Sequence, residues 1–71
     1  MTIGQIIEKI KKYNPDADID LVTRAYEFAA EVHKDQKRLS GEPYINHPLE
    51  AAGELVSLEM DVESIAAALL H

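Results

Sequence analysis

The chain has 71 residues, 46% hydrophobic and 28% charged, the balance of one small globular domain and not of a disordered segment. It has no cysteine, which excludes disulfide staples, thiolate zinc sites and cysteine nucleophiles. The net charge is −6, with all seven Lys and Arg within residues 1–38 and six acids but no base within 39–71; binding to a nucleic-acid backbone, which needs a basic surface, is excluded on that ground.

Thr2-Ile3-Gly4-Gln5 has the spacing of a capping box, and Ile3, Ile6, Ile7, Ile10 and Tyr13 follow at helical intervals, predicting a first helix over 3–13. Asn14-Pro15 stops it, because the residue before proline is biased away from the α region. Asp16, Asp18 and Asp20 suit the start of a second helix, where negative charge meets the helix dipole favourably. That helix is expected over 19–36, with Val22, Ala25, Tyr26, Ala29, Val32 and His33 as its apolar stripe. Residues 37–46 break the period, and Ser40-Gly41-Glu42-Pro43 is turn chemistry, Gly allowing positive φ and Pro fixing its own.

His47-Pro48 reads as the cap and first residue of a third helix, over 48–59, where the missing N–H of proline costs nothing. Its inner face is Leu49, Ala52, Leu55 and Val56. A fourth helix, over 62–71, opens after the cap Asp61 and continues as Val62, Ile65, Ala66, Leu69 and Leu70. No Gly, Asn or Pro follows residue 53, and the period is still running at His71, so part of an apolar face is expected to be uncovered. The expected fold is all-α, a small bundle of about four helices forming one unit over 1–71. No apolar run approaches the roughly 18–20 residues of a membrane span, and MTIGQIIEKIKK lacks the order of a secretory signal; a cytoplasmic chain is expected.

Three histidines are the candidates for neutral-nitrogen ligands or for a general base. His33, on the stripe of the second helix, reads as a packed residue with one satisfied N–H. His47 stands beside a turn where a ligand can approach, and His71 ends an apolar run. No two of the three make an i,i+4 pair, so a metal site would have to be assembled by the fold. Glu50 and Glu54 read as a solvated face, although a cation could relieve their mutual repulsion. Arg38, Ser40 and Gly41 could edge a polar pocket, with a guanidinium for stacking or bidentate bonding, or be a capped surface loop. A small phosphorylated ligand would be met only near Lys34–Arg38 or through a bound cation.

The stretch Arg38-Leu39-Ser40-Gly41-Glu42-Pro43-Tyr44-Ile45-Asn46-His47-Pro48, followed by Ile65-Ala66-Ala67-Ala68-Leu69-Leu70-His71, resembles the opening of the hydrolase domain of RelA/SpoT proteins. Those stringent-response enzymes make and destroy the alarmone (p)ppGpp. Ala25-Tyr26-Glu27-Phe28-Ala29-Ala30 and His33 look like that family too, and Ile6–Tyr13 with Asn14-Pro15 looks more like its long, bifunctional members. The resemblance implies an HD-domain fold in which His47 and His71 are ligands of Mn²⁺, His71 being the histidine of the His-Asp pair. It implies that Arg38 packs against the guanine base and that Ser40 belongs to the same nucleotide-binding loop. Position 39, often basic in that family, is Leu39 here.

The activity implied is removal of the 3′-pyrophosphate of (p)ppGpp through a metal-activated water, with synthesis from ATP and GTP or GDP (GTP pyrophosphokinase activity) in a long parent. The Asp expected directly after His71, the later acidic catalytic residues, the last metal-ligand Asp and the synthetase domain are not among the 71 residues. No catalytic set is complete, and the chain by itself is expected to be inactive, to hold Mn²⁺ weakly at best and to self-associate through its fourth helix. The alternative is a free-standing acidic helical interaction module, for which the whole RLSGEPYINHP combination has no evident use.

Overall fold

The computed structural model describes residues 1–70 and shows four helices, α1 (Ile3–Tyr13), α2 (Ile19–His33), α3 (Asn46–Ser57) and α4 (Val62–Leu70). Among the described residues no strand forms; an isolated antiparallel bridge joins Lys37 to Pro43. The all-α bundle expected from the periodicity is the observed architecture.

Each helix start uses a different device. The Thr2 hydroxyl accepts from the Gln5 N–H at 3.2 Å while the Gln5 amide oxygen accepts from the Thr2 N–H at 2.9 Å, the reciprocal pair of a capping box. Asp18 caps α2 through the Leu21 N–H at 3.1 Å. Asp61 caps α4 with both oxygens, one on the Ser64 N–H at 3.2 Å and one on its hydroxyl at 2.7 Å. For α3 the expectation of a His47 cap is corrected. The helix starts at Asn46 with Ile45 as its cap residue and no side-chain cap, so Pro48 is the third residue inside. Its missing N–H still costs nothing there, because the first groups of a helix have no intrahelical acceptor.

Two helix ends also differ from expectation. α2 ends at His33 and not at 36, because the Gln36 N–H closes a tight turn on the His33 carbonyl at 2.9 Å and the Gln36 carbonyl accepts from Tyr44 at 3.0 Å. α3 ends at Ser57, two residues short of the expected 59. Its exit is a Schellman motif: Met60 N–H to Leu55 O at 3.1 Å and Glu59 N–H to Val56 O at 2.9 Å, with Glu59 at φ +56°. Glycine ordinarily takes that left-handed position.

The core gathers Ile6 and Ile10 of α1, Val22 and Ala25 of α2, Leu49, Ala52 and Val56 of α3, and Val62, Ile65, Ala66 and Leu69 of α4. Each buried Ile, Leu or Val contributes on the order of 1.5–3 kcal/mol. α4 lies against α2 and α3, and α1 against α3 and α2. Tyr13 ties α1 to the α3–α4 junction by donating from its hydroxyl to the Met60 carbonyl at 2.8 Å. Val32, assigned to the inner stripe of α2, is 50% exposed, and Leu70 at the end of α4 is 53% exposed.

Candidate functional site

The connection between α2 and α3 is a small hairpin. Lys37 and Pro43 face each other across its base, the Arg38 N–H reaches the Glu42 carbonyl at 2.9 Å, and the Gly41 N–H returns to the Arg38 carbonyl at 2.8 Å. Gly41 has φ +90°. A turn followed by a residue in the left-handed region is the usual build of a three-residue hairpin loop, and it explains glycine at this position. Arg38, Leu39 and Ser40 are thereby held at the tip, all exposed. With Lys37 and Tyr44 they line an open cleft of about 570 Å³.

Among the described residues the ion pairs are Arg24–Asp20 at 3.1 Å and Lys34–Glu31 at 3.0 Å, both on exposed helix faces. Neither engages Arg38, so its guanidinium is available for bidentate bonding or stacking. The hairpin then runs into α3 through two further turns, Asn46 N–H to Pro43 O at 3.2 Å and His47 N–H to Tyr44 O at 3.0 Å. His47 is therefore the second residue of α3, exposed and joined to the cleft through Tyr44, one of its lining residues.

Tyr44 connects these residues. Its ring lies 4.6 Å from that of His33, tilted by 37°, and 6.1 Å from that of His47 in an edge arrangement of 64°. His33 Nδ1 bonds the Gln36 side-chain oxygen at 2.8 Å, in keeping with a packed, satisfied histidine. Tyr44 and Gln36 carried no role in the sequence reading. The one available signal was a lone aromatic between a polar turn and a helix start.

His71 lies outside the described residues. Among the described residues no group of three or more His, Asp or Glu is placed to hold a metal ion, and Glu50 and Glu54 are solvent-exposed. His47 supplies one imidazole but belongs to no such group, so the described residues do not on their own fit the Mn²⁺ that the resemblance implies. Among the described residues, no helix is long and apolar enough to cross a membrane.

The HD domain family matches residues 25–71, a span that takes in the hairpin, α3 and α4. The chain belongs to the HD domain family. A GTP pyrophosphokinase of Myxococcus xanthus is 50% identical over 62 residues, covering 87% of this chain and 8% of that protein. The guanosine-3′,5′-bis(diphosphate) 3′-pyrophosphohydrolase of Aquifex aeolicus is 48% identical over 71 residues, covering 100% of this HD-domain chain and 10% of that protein. The GTP pyrophosphokinase rsh of Brucella melitensis biotype 1 is 43% identical over 67 residues, covering 94% and 9%. The HD domain is of the RelA/SpoT kind, as its loop motif suggested, and it spans about a tenth of the length of these curated relatives.

Proposed function

We propose that this HD domain is part of a stringent-response enzyme that hydrolyses (p)ppGpp to GDP or GTP plus pyrophosphate, and that in its long form also synthesises it from ATP and GTP or GDP. The observation that carries this reading is the hairpin that presents Arg38 and Ser40 at an open cleft also lined by Tyr44, whose ring lies 6.1 Å from that of exposed His47. It is read together with 43–50% identity to proteins named for making or hydrolysing such nucleotides. In this proposal Arg38 packs against the guanine base and Ser40 bonds the nucleotide. His47 and His71 are two ligands of Mn²⁺, completed by carboxylates that these residues do not supply. A cation held there would supply a water of lowered pKa, and it would let the acidic half of the chain meet a pyrophosphate. The setting is the cytoplasm.

The test is a titration of the ¹⁵N-labelled chain with guanosine 3′,5′-bis(diphosphate) in the presence of Mn²⁺. Amide shifts are expected at Arg38–Gly41 and are expected to vanish in Arg38→Ala; shifts elsewhere, or none, would remove the nucleotide from this loop. The 71-residue chain is expected to release no pyrophosphate, and robust Mn²⁺-dependent release would overturn that part. We propose further that the chain self-associates through α4, where Leu70 with Leu21, Arg24, Ala25 and Phe28 lines an open groove of about 420 Å³. Sedimentation that finds a strict monomer at high micromolar concentration would refute it.

A further inference from the structure

His33 is not needed to fill the core: it lies outside the buried cluster, half-buried at the last position of α2. Its partners are groups of the hairpin. Gln36 is the node, closing α2 through its N–H on the His33 carbonyl at 2.9 Å, receiving Tyr44 N–H on its own carbonyl at 3.0 Å, and holding His33 Nδ1 with its side-chain oxygen at 2.8 Å. A carbonyl oxygen accepts, so Nδ1 carries the hydrogen and the ring's orientation is fixed. That ring lies against Tyr44 at 4.6 Å. Tyr44 in turn holds His47 twice, by its carbonyl on the His47 N–H at 3.0 Å and by its ring at 6.1 Å in the edge arrangement that aromatic pairs favour.

Rings in such a row constrain one another: fixing the first limits the rotamers open to the second, and the second those open to the third. We infer that His33 is a positioning residue, which through Tyr44, a lining residue of the Arg38–Ser40 cleft, holds the imidazole of exposed His47 in one orientation. The value of that orientation to catalysis rests on the ligand role proposed for His47 above; the orientation itself does not. The inference explains why a histidine, and not an aliphatic residue, ends α2. An aliphatic side chain could pack, but it could neither be oriented by Gln36 nor present a ring face to Tyr44.

The experiment is side-chain NMR of the His47 ring in the 71-residue chain and in His33→Leu, His33→Phe and Tyr44→Leu. Tyr44→Leu defines the His47 signals without the Tyr44 ring current. His33→Leu is expected to move the His47 signals toward those positions and to broaden them, while His33→Phe, which keeps a ring against Tyr44, holds them near the parent values. His47 signals unchanged in His33→Leu would overturn the inference, as would equal displacement in the Leu and Phe variants, which is what a purely space-filling role predicts. Should His33→Leu lose its helical circular dichroism, Gln36→Ala decides: a smaller displacement in the same direction supports the inference and none overturns it. Adding Mn²⁺ alone to the parent chain tests the ligand role separately. Failure to broaden the His47 signals would count against that role, while the comparison of variants would still decide the positioning.

Discussion

The helical core and the α2–α3 hairpin hold their shapes by opposite means. In the core, Ile6, Ile10, Val22, Ala52 and Ile65 are wholly buried, and shape follows from apolar surface withdrawn from water and packed without gaps. In the hairpin every residue from Lys37 to Pro43 is exposed, Leu39 completely, and shape follows from a few backbone hydrogen bonds, one glycine and the Tyr44–His33 contact. Burial makes the core insensitive to exposed substitutions and intolerant of lost volume. The hairpin is the reverse, tolerant of side-chain change at its tip and dependent on backbone geometry. Arg38 and Ser40 stand on the second region, where side chains are free to meet a ligand because they are not needed for packing, and His47 follows just after it, in the first turn of α3.

The largest break in this contrast is expected from Ile65→Ala, which empties a fully buried position at the centre of α4. Such truncations cost about 2–5 kcal/mol, and at roughly 4–8 °C per kcal/mol for a domain of this size the melting midpoint should fall by about 10 °C or more. Gly41→Ala is the matching change in the hairpin. Nothing lies within 4 Å of an added Cβ, yet φ is +90°, so the cost is conformational, about 1–2 kcal/mol. Hydrogen exchange should show the Arg38 and Gly41 amides losing protection while the midpoint moves far less than in Ile65→Ala. Equal falls in midpoint would mean that the hairpin belongs to the cooperative core.

The core was legible in the sequence because helical periodicity is a local signal: Ile6, Ile10, Val22, Ala25, Ala29, Leu49, Ala52, Val56, Ile65 and Leu69 were all readable from spacing and all are buried. Spacing cannot say how far a neighbouring helix covers a stripe, so Val32 reads as inward although it is 50% exposed, while the exposure of Leu70 agrees with the expected uncovered face of the fourth helix. The starts at Thr2, Asp18 and Asp61 carried residue-specific marks. The start of α3 carried a misleading one, since His47-Pro48 has the chemistry of a first turn but Ile45 takes the cap position. In the hairpin, Gly41 announced its own conformation, but the pairing of Tyr44 with His33 joins residues on either side of a reversal of the chain, and nothing local encodes it. At the end of α3 the usual sign was absent, because Glu59 stands where glycine is expected.

That absence makes Glu59→Gly a stabilising change. Relief of the left-handed penalty, about 1–2 kcal/mol, exceeds the extra chain entropy of glycine, leaving a gain of about 0.5–1 kcal/mol. Burial is the main cause that raises the Tyr13 pKa, with the charges of Glu59 and then Asp61 behind it; the same variant should therefore lower the Tyr13 pKa, read from phenolate absorbance. A variant that melts below the parent would show that the Glu59 side chain contributes more than its backbone costs.

The smallest expected effects are those of pH on the α3–α4 junction, where Tyr13 and Asp61 depart from their ordinary values in opposite directions. Tyr13 is raised above 10.0, so its contribution is complete below that pH and is lost as pH rises through the folded value, where a phenolate can no longer donate to the Met60 carbonyl. Asp61 is lowered below 3.8, chiefly by the Ser64 hydroxyl; its contribution is present above 3.8 and is lost as pH falls through the folded value. Melting midpoints followed across both windows should bend at each end, and Tyr13→Phe should flatten the alkaline bend while leaving the acid one. An alkaline bend that survives Tyr13→Phe would assign it to some other group and leave the Tyr13–Met60 bond with no part in the pH response.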